Sequence, residues 1–298
     1  MRPITNGPAS HVHRFESNPI IRPHMDARMG DNINGPSLIR VPEWIPGALG
    51  RYYLYFAHHD GEYIRLAYAD ELAGPWQIFE AGVLPLSDSS FAGHVASPDV
   101  HVDHSERRIR MYFHGSDTRT GGGGEQTTRV ALSPDGLHFT ARPADLGEPY
   151  WRVFHWRDRV YALGMPGIFY CSANGIDGFE CGPTLFTSDM RHSAVMVRND
   201  TLSVYYSNAG DSPERILLSS IKLSSDWMTW KESPPLTVLT PECDYEGAGL
   251  PCMPSRRGIV REPAHQLRDP AIFQEQDRTY LLYSTAGEFG IAIAELMV

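Results

Sequence analysis

The sequence predicts an all-β protein, a single five-bladed β-propeller spanning residues 1–298. Twenty-seven Gly and 23 Pro, together with 11% aromatic residues, signal many short strands separated by turns rather than long helices. The same strand-turn-strand-strand order recurs five times, and repeated sheets of this kind close radially into a propeller. Hydrophobic residues make up 42% of the chain, enough to bury a large core.

The first unit opens near residue 34 as NGPSLIRVPEW and continues as RYYLYFAHHDGEYIRLAYAD. The second opens near 98 with SPDVHVDHSERRIRMYFHG and resumes after a Gly-rich insertion as TTRVALSPDGLHF. The third, YWRVFHWRDRVYALGMPGIFYCSANGIDGF, starts near 151; the fourth, RHSAVMVRNDTLSVYYSNAGDSPERILLSSI, near 191. The fifth, RDPAIFQEQDRTYLLYSTAGEFGIAIAEL, starts near 268. In each unit a polar residue opens a short apolar strand, a polar turn follows, an aromatic-rich strand returns and an alternating strand ends the readable core. Trp76, Phe139, Phe179 and the segment around Trp227 and Trp230 mark where a short outer strand is expected. Residues 269–298 hold three strands but hardly four, so NPIIRPHM, residues 18–25, is expected to complete blade five and close the ring.

Charge narrows the partners. A formal net charge of −10 without a Lys/Arg-rich run argues against nucleic acid, because phosphate binding needs concentrated positive charge. The expected partner is a small molecule. No window approaches 18 consecutive apolar residues and the N-terminus lacks the apolar core of a signal peptide, so no membrane role and a cytoplasmic location are expected. Cys171, Cys181, Cys243 and Cys252 form no CxxC pair and signal neither zinc site nor disulfide framework. Nothing in the sequence fixes an oligomeric state.

GPSLIRV with YYLYFAHH, then SPDVHVD, YEGAGLP and RDPAIF with YLLYS, resemble the strand motifs of the five-bladed β-propeller glycoside hydrolases, the group of families 43, 32 and 117. The likeness runs over essentially the whole chain. It implies a hydrolase of glycosidic bonds acting on a small saccharide in the central channel. One departure stands out: where the group's opening motif carries its catalytic base, this sequence reads Asn34-Gly35-Pro36-Ser37. The third and fourth units likewise open on Tyr150-Trp151-Arg152 and Arg191-His192-Ser193 where relatives carry acids.

A mechanism must therefore be rebuilt from the residues present. Inner strands of a propeller begin near one end of the channel and second strands return there. This rule gathers Asn34, Asp99, Arg152, His192 and Asp269 from first strands, with His58, His59, His114, Asn208 and Glu288 from second-strand ends. Ionisable groups so dense are costly to bury without a ligand or mutual pairing. YIRLAYA, TTRVALS and PERILLS superimpose Arg65, Arg129 and Arg215, expected to face the pocket rim and to suit an anionic saccharide.

Glycoside hydrolysis generally needs a proton donor and an opposing base or nucleophile. The candidates for that work are Asp99, Glu246, Asp269, which Arg268 would hold ionised, and His192 as an imidazolium donor. Trp151 is a candidate sugar-stacking platform. No cofactor is required; His58, His59 and His114 are compatible with an axial metal ion, but no ligand spacing specifies one. The loop SDTRTGGGGEQ, residues 116–126, lacks the setting of a phosphate loop and reads as a lid or linker. SRRGIVREP, residues 255–263, carries Arg256, Arg257 and Arg261 and is a candidate cover of the pocket or a candidate oligomer contact. Two alternatives remain open: a non-catalytic saccharide-binding propeller, and a phosphorylase or lyase whose arginines hold phosphate or carboxylate.

Overall fold

The computed structural model describes residues 11–118 and 125–297. Residues 119–124 of the Gly-rich loop, the heart of the expected lid, lie outside the described residues. Five antiparallel sheets form the ring. Blade one holds Asn34–Arg40, Tyr52–Ala57, Tyr63–Ala69 and Gln77–Ile78, with Leu84–Pro85 also paired to its third strand. Blade two holds His94–Asp103, Arg108–Ser116, Gln126–Ser133 and Thr140–Ala141; blade three, Arg152–Trp156, Arg159–Gly164, Ile168–Ser172 and Glu180–Thr184. Blade four holds Met190–Arg198, Thr201–Asn208, Ile216–Lys222 and Leu236–Leu239. Its outer strand comes later than expected, because Trp227–Thr229 forms a 3₁₀ turn instead.

Blade five is Arg268–Glu275, Arg278–Ser284 and Ile291–Met297, completed by His11–Arg14 from the N-terminal region. The ring is thus closed from the N-terminal side, as expected, but by a different segment. Val12 pairs with Leu296 and Arg14 with Ala294, whereas residues 18–25 contribute one isolated bridge, Ile21 to Ile291. Polar HVHR suits an outermost strand with one open edge; the apolar Ile20 and Ile21 are instead buried between blades.

The apolar core is divided into five wedges, one between each pair of neighbouring blades. Strand Tyr52–Ala57 shows why its sequence is apolar at every position. Tyr52, Leu54 and Phe56 face blade five, while the alternate Tyr53 and Tyr55 face blade two. Burying both faces erases the polar alternation of a one-sided sheet. Among the described residues no helix is long and apolar enough to cross a membrane.

Candidate active site

Four inner strands bulge near their start, with register shifts between Asn34 and Ser37, Ala96 and Asp99, Met190 and Ser193, and Arg268 and Ala271. Three of these bulges contain an X-Pro step. Pro36, Pro98 and Pro270 have no N–H to give the ladder, and Gly35, Ser97 and Asp269 before them adopt φ of 60°, 44° and 46°. These three residues are therefore counterparts in the ring, and Asp269 alone of them carries a charge.

Arg152 crosses the channel. Its Nε donates to the Ser193 carbonyl at 2.8 Å, its Nη1 to the Pro98 carbonyl at 2.8 Å and its Nη2 to the Pro36 carbonyl at 3.5 Å. One guanidinium thus ties the inner strands of blades one, two and four to that of blade three, a task its planar fork of donors suits. Among the described residues, two separate pockets reach the inner strands. One, of about 320 Å³, is lined by Ser37, Asp99, His101, Arg152 and Ala271. The other, of about 480 Å³, is lined by His59, Tyr150, Met165, Arg191, His192 and Arg257, with Glu125, Glu148 and Tyr170.

The second pocket carries the chemistry. His192 Nδ1 lies against Asp269 Oδ1, and Ser284 Oγ donates to Asp269 Oδ2 at 3.0 Å. Burial would raise the Asp269 carboxyl, yet His192 beside it, with Arg191 and Arg268 close by, holds it far below the usual carboxylate range. His192 is pushed below 6.5 chiefly by burial, against the pull of Asp269. A neutral imidazole with Nδ1 on a carboxylate keeps its proton there and leaves Nε2 free as a base.

Tyr150 packs between two imidazoles at tilted angles, its ring centroid 4.5 Å from that of His192 and 4.0 Å from that of His114. Burial raises its phenol. His114 is driven well below 6.5 by burial, with His94, His192 and His59 adding to the effect.

Behind this wall runs a chain of buried charge. Arg268 reaches Glu214 at 3.2 Å and Glu288 at 3.1 Å, and Arg191 reaches Glu214 at 3.4 Å. Glu288 also faces His59 Nδ1 at 3.3 Å and accepts from Asn32 Nδ2 at 2.6 Å. Burial would raise Glu288, but His59 and Arg268 bring it down to about 2. Arg191 and Arg268 also donate to the carbonyl of Arg256, which anchors segment 255–263 so that Arg257 and Gly258 line the pocket.

The structure separates several residues that the strand rule gathered. Asp99 lies in the smaller pocket, bound by His101 Nε2 at 2.8 Å and the Val153 amide at 2.7 Å, away from His192 and Asp269. Glu246 is fully buried outside both pockets, gripped by Arg14 and the Tyr283 hydroxyl. The three superimposed arginines do not form a rim. Arg65 turns back to the carbonyls of Met29 and Asn32, Arg129 stacks 3.7 Å over Phe91 and pairs with Asp145, and Arg215 pairs with Asp211. Trp151 is buried against Tyr170 and Phe179 and offers no stacking face. Asn208 lines a different pocket beside Phe186 and Tyr206. Asn34 bonds to Asn32, and His58 accepts from the Asp60 amide. No group of three or more His, Cys, Asp or Glu set to hold a metal occurs among the described residues.

Tyr150, Arg191 and Glu214 reach the site or its support without having been singled out for it from the sequence, whereas Arg257 lies in the segment 255–263 expected to cover the pocket. Tyr150 and Arg191 stand beside the inner-strand openings, a signal that could have found them. Glu214 lies before a third strand and gave none.

The fold is a five-bladed propeller, the architecture also seen in solved glycoside hydrolases of family 43. The enzyme of that family from Xanthomonas citri, solved with xylose, matches at a TM-score of 0.62 and 14% identity, over 93% of this chain and 90% of that one. A putative glycoside hydrolase from Parabacteroides distasonis matches at a TM-score of 0.67 and 13% identity, over 97% of each chain. By sequence, the chain belongs to the same family as the uncharacterized protein R118 of Acanthamoeba polyphaga mimivirus, at 35% identity over 322 residues, 96% of this chain and 90% of that protein. No protein-family profile matches the chain.

Proposed function

We propose that this protein is an enzyme that cleaves a glycosidic bond in a small saccharide held in the larger pocket, with His192 as its proton-transfer group. The observation that carries this reading is the buried His192–Asp269 pair, whose imidazole lines a cavity of about 480 Å³. A carboxylate that fixes the imidazole tautomer and steadies the imidazolium formed in the reaction is the arrangement that general base catalysis uses. The volume falls within the range of small-ligand sites, and Tyr150 and Tyr170 supply aromatic surface to it. The hydrolase architecture of the structural neighbours supports saccharide as the ligand class.

The test is a reducing-end assay on a panel of short oligosaccharides, neutral and acidic. Wild-type protein is expected to release new ends from at least one of them. His192→Gln and Asp269→Asn are each expected to lower turnover about a hundredfold or more, as loss of acid–base help predicts. Gly35, standing where an acid opens the motif in the resembling group, favours a second reading, that of a saccharide-binding propeller. Calorimetry separates the two, because a binder returns its sugar unaltered.

A further inference from the structure

Resting on the reading of a glycosidic-bond-cleaving enzyme, we infer that the substrate is a 4-linked uronate and that its bond is cleaved by β-elimination rather than by water. Hydrolysis of a glycoside is ordinarily run by two carboxyl groups, one of them kept protonated by its surroundings. The buried carboxylates of this site are all committed elsewhere. Asp269 is paired with His192, Glu288 with Arg268 and His59, and Glu214 with Arg191 and Arg268. Glu125 and Glu148 line the pocket but are exposed, and glycosidase acids are built by burial.

What the pocket does present is an imidazole base, a phenol in ring contact with it, and a guanidinium. Arg257 donates to the Ser188 carbonyl and, at 3.7 Å, to the soft acceptor Met165 Sδ, and has no acidic partner among the described residues, whereas Arg191 in the same wall is offset by Glu214. A guanidinium in that state is suited to a bidentate carboxylate. Bound there, a uronate C6 carboxylate is neutralised and the hydrogen on the adjacent C5 becomes acidic.

The step then balances without a carboxylic acid or water. His192 Nε2 takes the C5 proton, the C–H electron pair forms the C4=C5 double bond, and the C4–O4 bond breaks with its pair going to O4. Tyr150 gives its hydroxyl proton to O4, leaving an anomeric hydroxyl on the departing sugar and an unsaturated uronate on the other product. Release of the imidazolium proton to solvent and uptake of one by the phenolate restore both groups.

The experiment uses the full-length protein with 4-linked oligouronides of gluco, galacto, manno and gulo configuration, and xylotriose as a neutral control. Reducing ends and ultraviolet absorbance of the conjugated double bond are followed together. The expected result is one absorbing end per new reducing end from at least one oligouronide, and none from xylotriose. Arg257→Gln is expected to lower kcat/KM about a hundredfold, with partial recovery in Arg257→Lys; the exposure of Arg257 spares the fold. Reducing ends without absorbance would mean hydrolysis and overturn the inference while leaving bond cleavage standing. Absence of new ends from every substrate overturns both, and wild-type kcat/KM in Arg257→Gln removes the carboxylate-binding role.

Discussion

At the scale of single residues, His192 decides how the site answers to pH. Burial lowers its pKa from 6.5 and the Asp269 carboxylate opposes that shift. The imidazole is therefore neutral, and able to act as a base, at all pH values above a midpoint that itself lies under 6.5. The acid limb of the kcat/KM profile is expected to fall with an apparent pKa below 6.5. In Asp269→Asn the charge that favours imidazolium is gone, so the limb is expected to move to lower pH while the plateau drops. A limb that stays in place in this variant would remove His192 from the proton-transfer role. His192 and Asp269 were legible because each stands at the opening of an inner strand. The three arginines superimposed on third strands were not. Strand position placed Arg65 and Arg129 in register, but a long flexible side chain selects its own acceptor, here the carbonyls of Met29 and Asn32 and the face of Phe91.

At the scale of elements, the bulges explain both a success and a failure of the sequence reading. Side chains alternate along a strand, so a bulge changes which residue meets the pocket. Aligned on their X-Pro steps, Ser37, Asp99 and Ala271 are equivalent, and all three line the smaller pocket. Asp99 was gathered with Asp269 because both open a unit, yet the two sit on opposite sides of the Pro. Gly35 is the true counterpart of Asp269, and its replacement is constrained by the fold. It adopts a φ of 60°, and a Cβ built on it would stand 2.9 Å from the backbone Cα of Ser97. Gly35→Ala is expected to cost about 1–3 kcal/mol of unfolding free energy in urea titration, with Gly35→Asp at least as damaging. The motif's acid cannot be reinstated here by one substitution, and a Gly35→Asp protein of wild-type stability would contradict this account.

At the scale of the whole molecule, the ring depends on a closure that periodicity alone could foresee but not locate. The need for a fourth strand in blade five follows from the length left after residue 269; which N-terminal residues supply it depends on a side-chain anchor that no repeat pattern encodes. That anchor is Arg14. From the closing strand its Nε and Nη2 reach the two oxygens of Glu246 at 2.8 and 3.2 Å, and Nη1 reaches Glu242 at 2.9 Å. Glu246 also accepts from the Tyr283 hydroxyl at 2.7 Å and the Glu242 amide at 2.8 Å, so strand, interblade loop and blade five meet on one buried carboxylate. Removing one partner of such a pair leaves an uncompensated charge inside the protein, whereas neutralising the carboxylate removes the charge with it. Arg14→Ala is therefore expected to destabilise by about 3–5 kcal/mol and Glu246→Gln by less, both read as shifts in the urea midpoint. Because Glu246 lies outside the pocket of His192 and Asp269, Glu246→Gln is expected to keep wild-type kcat at temperatures where it remains folded. A loss of kcat without a loss of stability would instead bring Glu246 into the reaction and require the closing strand to open during turnover.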